Sequence, residues 1–292
     1  MNLSNRWNIL YRGPLSSCNY ECNYCPFAKT SNTAAEIKAD EQCLLRFVDW
    51  VEEQTDREIG ILITPWGEGM IHPSYQRAMT RLSHLPNVYR ISIQTNLSGR
   101  LDWLEHVDKK TLALWTTFHP TQSSVENYLT KCHQLDALGI RYSVGTVGLR
   151  EHQTDISLLR EKLNPDVYLW VNAFKGVADY YKEGEIDYFT RLDPHFPTNT
   201  KRHPSLGKPC VAGHSSFSVD GDGSAFRCHF IKEPIGNIYH PDFRTSLSPQ
   251  PAPCSNDTCG CHIGYVHMPE LKADKLYQDG LLERIPHAYS KS

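Results

Sequence analysis

The stretch Trp7-Asn8-Ile9-Leu10-Tyr11-Arg12-Gly13-Pro14-Leu15-Ser16-Ser17-Cys18-Asn19-Tyr20-Glu21-Cys22-Asn23-Tyr24-Cys25-Pro26 carries a β-prone apolar segment directly into a loop with three cysteines. Residues 7–11 read as a strand. Cys18, Cys22 and Cys25 fall within eight residues, and their number matters more than their clustering. A structural zinc site closes its shell with four ligands, and a disulfide takes two cysteines. Three thiolates on one short loop suit a 4Fe–4S cluster whose fourth iron has no protein ligand. Such an iron is free to bind a small molecule.

Beyond this loop, short β-branched runs alternate with longer amphipathic stretches. The strand candidates are residues 7–11, 59–64, 88–95, 112–118, 141–147 and 167–171. In the helical pattern at 40–54, Leu44, Leu45, Phe47, Val48 and Val51 share one face; at 125–138, Val125, Tyr128, Leu129, Cys132, Leu135 and Leu138 do the same. Gly139 is placed to end the second helix. Repeated strand–helix alternation implies parallel strands with right-handed crossovers. A Rossmann-type sheet and a barrel both satisfy that pattern. Six units fill only the first ~195 residues, short of the ~250 of a closed eight-unit barrel. The expected fold class is therefore α/β, a partial (β/α)6 TIM-like barrel, with chemistry at the C-terminal ends of the strands.

Composition sets the outer bounds. The chain has 292 residues, 40% hydrophobic and 22% charged, with a net charge of −3. No basic excess exists to neutralise phosphates, so neither nucleic acid nor a membrane surface is an expected partner. No signal peptide and no apolar run of about 18 residues is visible, and a cytoplasmic location is expected. Ten cysteines in such a chain read as metal ligands or redox groups rather than disulfides. Cys43 and Cys132 lie on apolar helix faces and read as buried hydrophobes.

The Cys18-x3-Cys22-x2-Cys25 spacing, with Tyr24 just before the last cysteine, resembles the signature of the radical S-adenosylmethionine (SAM) enzymes. The resemblance implies that the three thiolates hold a 4Fe–4S cluster, that SAM chelates the open iron, and that Tyr24 packs near the adenine. It also implies reductive cleavage of SAM to a 5′-deoxyadenosyl radical that abstracts hydrogen from substrate. Further elements match by position. Thr64-Pro65-Trp66-Gly67-Glu68 resembles the family's glycine–glutamate element at the SAM amino group, and Gln94-Thr95-Asn96 lies beside the cofactor. Gly148-x2-Glu151 resembles the end of a G-x-I-x-G-x-x-E element near the adenine, with Val144 where its first glycine belongs. Thr117 and His119, ending the fourth strand, are candidates to line the site. Taken singly, Gly67 and Gly148 are also explained as turn residues, and His119 by a structural hydrogen bond.

After residue 195 the character changes. Residues 196–209, rich in Pro, Lys, Arg and Asn, read as a linker. Residues 214–219 and 225–230 flank Asp220-Gly221-Asp222-Gly223, a β-hairpin signal. Cys210, Cys228, Cys254, Cys259 and Cys261 follow within 52 residues. Cys210 through Gly236-Asn237-Ile238 resembles the Twitch/SPASM extensions of radical SAM enzymes, which implies one auxiliary 4Fe–4S cluster on Cys210, Cys228 and two of Cys254, Cys259 and Cys261. A zinc ribbon remains the alternative. His262 and His267 read as core or capping residues, or as site residues. A helical tail from about Glu270 is placed to pack back on the barrel.

The expected organisation is thus a radical SAM core over residues 1–200 and a cysteine-rich auxiliary-cluster unit over 201–292. The expected activity is oxidative modification of a peptide or protein side chain, with a one-electron reductant such as flavodoxin or ferredoxin. Dehydrogenation of a small alcohol is the alternative within the family. A zinc-stabilised, non-catalytic binding module is the alternative outside it.

Overall fold

The computed structural model describes residues 5–27 and 30–289. Six strands, β1 (Arg6–Arg12), β2 (Glu58–Ile63), β3 (Val88–Thr95), β4 (Leu112–Thr117), β5 (Arg141–Val147) and β6 (Leu169–Asn172), pair in parallel in chain order. Helices α1 (Ala34–Glu53), α2 (Pro73–Ser83), α3 (Val125–Leu138) and α4 (Gln153–Lys162) fill four crossovers, and α5 (Glu183–Leu192) follows β6. The β3–β4 connection carries only a 3-10 turn, Asp102–His106. A doubly wound sheet reverses its strand order partway along. Across these six parallel strands the order never reverses, and the architecture is a partial TIM-like barrel.

Strand alternation sorts side chains into two layers. Ile9, Tyr11, Ile61, Ile63, Ile91, Ile93 and Leu114 face the helices in the main core. Leu62, Trp115, Tyr168 and Trp170 form a smaller cluster inside the barrel. Helix α1 starts six residues before the predicted 40–54 span. Its first turn has no apolar stripe to read, but a capping box fixes it: Glu36 N–H donates to Thr33 Oγ1 (3.3 Å) and Thr33 N–H to the Glu36 carboxylate (2.7 Å). Gly139, at φ +66°, ends α3 as expected.

The predicted linker at 196–209 is ordered structure instead. Helix α6 (Phe196–Thr200) buries Phe196 completely, and Asn199 Oδ1 accepts from Ala173 N–H (3.1 Å). Strands β7 (His203–Pro204) and β8 (Pro209–Cys210) follow. The hairpin of β9 (Ser216–Asp220) and β10 (Ser224–Phe226), with β11 (Pro234–Asn237), adds to the barrel sheet. Strand β9 runs parallel to β1, Ile9 opposite Phe217 and Tyr11 opposite Val219, giving nine strands in all. Phe217, Val219, Ala225 and Phe243 share the main core. Two short pairs complete this region: β12 (Ala252–Pro253) with β8, and β13 (Thr258–Cys259) with β7.

The tail is less helical than its sequence pattern predicts, with only α7 (His262–Tyr265), α8 (Ala273–Tyr277) and 3-10 turns. It packs into the barrel from the end where the strands begin. Glu283 is fully buried between Arg90 (3.1 Å) and Arg141 (2.7 Å), and the Arg284 guanidinium lies 4.3 Å from the Trp170 ring centroid. His262 is buried against Trp115, Tyr265 and Tyr277, a core role. Among the described residues no helix is long and apolar enough to cross a membrane.

Candidate functional site

The Cys18 loop leaves the C-terminal end of β1 and is held by side chains from α1 and the segment before it. Leu15 N–H donates to Asp40 Oδ1 (3.0 Å), which also accepts from the Tyr75 hydroxyl (3.1 Å). Ser16 and Ser17 N–H both donate to Asn32 Oδ1 at 2.8 Å. Asp40 and Asn32 are positioning residues that the sequence reading missed. Its place on the apolar face of the helix, four residues before Leu44, was the signal available for Asp40, which the structure leaves only 2% exposed.

The Gly67–Glu68 element is stitched to the same loop. Gly67 N–H donates to Leu15 O (3.2 Å) and Glu68 N–H to Ser17 O (3.0 Å). A Cβ on Gly67 would overlap the Ser17 carbonyl, so close approach of two backbones explains this glycine. The buried Glu68 carboxylate accepts from Thr95 Oγ1 (2.7 Å), Asn96 N–H (2.6 Å) and Met70 N–H (3.0 Å). Burial raises its pKa above the ordinary carboxylate value, against the pull of those donors. Glu68, Thr95 and Asn96 therefore form one unit at the ends of β2 and β3.

The three thiols fit an iron–sulfur cluster. Tyr20 N–H lies 3.4 Å and Asn96 Nδ2 3.8 Å from Cys18 Sγ, donors aimed at a thiolate. Burial pushes the Cys18 and Cys22 thiols up, so metal coordination is what would hold them deprotonated. Among the described residues no three His, Cys, Asp or Glu side chains converge on a single ion position. Cluster thiolates each serve a different iron and have no need to converge.

Tyr24 turns its hydroxyl to His119 Nδ1 (2.9 Å), and its ring meets His152 edge-on. Burial lowers the His119 pKa to about 4, so the imidazole is neutral. Thr117, half-buried, ends β4. Gly148 N–H donates to Asn172 O (2.9 Å), and its carbonyl accepts from the Tyr181 hydroxyl (2.7 Å). Glu151 lies exposed in the turn Arg150–His152, apart from the buried Glu68 unit.

The second set of cysteines gathers through the short strand pairs. Strand β12 sets Ala252 opposite Cys210, and Cys254 N–H donates to Lys208 O (2.9 Å). Burial pushes the Cys228 thiol up to about 11 and Cys259 to about 12; at Cys259 the thiols of Cys228, Cys261, Cys254 and Cys210 add to the effect. Cys261 differs. Desolvation raises its thiol, opposed by the charges of Lys175, Arg284 and Arg12.

By sequence, no protein-family profile and no curated protein matches the chain. Solved structures match its fold. The crystal structure of Streptococcus suis SuiB bound to S-adenosylmethionine superposes with a TM-score of 0.53 at 10% identity, covering 84% of this chain and 64% of that one. Native anSMEcpe with bound AdoMet and Kp18Cys peptide gives 0.55 at 15% identity, over 83% and 80%. The chain thus spans less than two thirds of the length of SuiB. Both were solved with S-adenosylmethionine bound, and this chain has their fold.

Proposed function

We propose that this chain is a radical SAM enzyme that oxidatively modifies a side chain of a peptide or protein. One observation carries the reading: the loop of Cys18, Cys22 and Cys25 at the mouth of a parallel partial barrel, bonded through its backbone to Gly67 and Glu68. The three thiolates would hold a 4Fe–4S cluster, which when bound supplies the electron that splits SAM to a hydrogen-abstracting 5′-deoxyadenosyl radical. The chain's own residues hold and shield. Asn32 and Asp40 fix the stem of the loop, and Glu68 joins it to Thr95 and Asn96. Tyr24, its phenol bonded to a neutral His119, offers a ring for the adenine. Thr117, Gly148 and Glu151 are the remaining candidate contacts to SAM.

Cys210, Cys228 and two of Cys254, Cys259 and Cys261 would hold an auxiliary cluster within a unit spanning residues 201–292, with residues 1–200 as the radical SAM core. The peptide reading is supported by anSMEcpe, solved with AdoMet and a peptide on a similar fold. A flavodoxin or ferredoxin would supply electrons. Anaerobically reconstituted protein with SAM and dithionite is expected to release 5′-deoxyadenosine, and Cys22→Ala to abolish that release. Cleavage persisting in the variant, or a colourless protein retaining only zinc, would defeat the assignment.

A further inference from the structure

We propose that Arg12 and the aromatic wall beside it form a carboxylate-binding subsite that seats the substrate by one anionic group next to an apolar one. The proposal rests on the enzyme reading above and narrows the substrate class to acids of the acylamino-acid or peptide type. Arg12 ends β1, one residue beyond Tyr11. Tyr11 faces the helices, so alternation turns Arg12 toward the barrel mouth.

Its surroundings are unusual for a cation only 5% exposed. Among the described residues its guanidinium donates no hydrogen bond and makes no ion pair within 4 Å, and Nε is buried without a partner. Buried charges are ordinarily paired. One face is covered by Trp66, 4.1 Å from the ring centroid, with Phe27 further off at 6.0 Å. The two terminal NH2 groups have no partner among the described residues and are left for a ligand. That fork matches a carboxylate in two parallel hydrogen bonds.

Arg12 also lines a cavity of about 850 Å³, within the range of a small-molecule or side-chain pocket. Pro14 on its wall leads into the Cys18 loop; His229 and Phe230 follow Cys228 directly. The cavity is therefore bounded by both cysteine segments. Phe230 and Trp66 are among the few exposed large apolar side chains, which suits an apolar group beside the acid. Asp220 and Asp222 line the same space, and the other cation there, Lys232, is exposed at the rim. One buried positive charge facing two carboxylates selects a monoanion over a phosphate dianion.

The test uses the reconstituted full chain with saturating SAM, titrated by equilibrium dialysis with N-acetylphenylalanine, with its neutral primary amide and with inorganic phosphate. The acid is expected to bind about tenfold or more tightly than the amide, the scale of hydrogen bonds to a charged group. Arg12→Gln should bring the acid down to the level of the amide, and Arg12→Lys should keep part of the difference. Trp66→Ala, at a half-exposed position, should weaken the acid severalfold. Equal binding of acid and amide by the wild type overturns the proposal, as does tighter binding of phosphate. Acid preference surviving in Arg12→Gln, or no loss in Trp66→Ala, also overturns it. Acid binding seen only when SAM is left out would assign Arg12 to the cofactor and sink the proposal likewise. A protein that prefers the acid yet releases no 5′-deoxyadenosine would instead retire the enzyme reading and leave the subsite standing.

Discussion

Glu68 concentrates more of the site's geometry than any other single side chain. Its two buried oxygens receive three donors, from Met70 and from Thr95 and Asn96. Glu68→Gln offers one acceptor oxygen and turns an amide N–H₂ toward a donor. At least one of the Thr95, Asn96 and Met70 groups is then left buried and unsatisfied, at about 1–3 kcal/mol. The urea midpoint of the variant is expected to fall accordingly, and iron retention after gel filtration to fall with it. The same scale explains what was hard to read in advance. Three cysteines and a Gly-Glu pair carry a spacing signal. Arg12 is an ordinary arginine until strand alternation turns it to the mouth and Trp66 covers it. Asn32 sits in a loop, where nothing in the sequence distinguishes it from a solvated turn residue.

At the scale of elements, hydrophobic periodicity located all six parallel strands to within two residues at each end, and α3 to the residue. Those segments bury a repeating face, and burial is what periodicity records. Helix α1 was read short because a cap, not a stripe, starts it. Thr33→Ala removes that cap and is expected to destabilise by about 1 kcal/mol, measured as a shift in the urea unfolding midpoint. Residues 196–209 misled for a related reason. Their Pro and charged content resembles a linker, while their order comes from tertiary burial of Phe196, the Asn199 hydrogen bonds to Ala173 and Asn172, and the β7 and β8 pairings. Composition does not encode such anchors. The β9–β10 hairpin was legible as a hairpin, but its parallel pairing to β1 is a long-range choice that its local sequence leaves open.

The whole molecule depends on the tail. Glu283 is shared by Arg90 and Arg141 in a fully buried position, and burial raises its pKa while the two arginines oppose the shift. Breaking a buried ion network leaves uncompensated charge, so Glu283→Gln is expected to destabilise by about 3 kcal/mol in equilibrium denaturation. Acid should weaken the fold through its buried histidines. His119 and His267 are lowered to about 4 by burial, and His262 is lowered well below its ordinary value. The unfolded chain then binds more protons, so stability is full above the unfolded pKa near ~6.5 and drains away below it, by about 1.4 kcal/mol per pH unit for each histidine. Unfolding midpoints measured from pH 7.5 to 5 should follow that slope, and His262→Phe should flatten it. The tail has one more effect. With Leu282, Arg284 and Tyr289 drawn against Trp115, Tyr168 and Trp170, the barrel is a cul-de-sac. A ligand of the proposed site would therefore enter and leave at the end of the strands where the Cys18 loop lies.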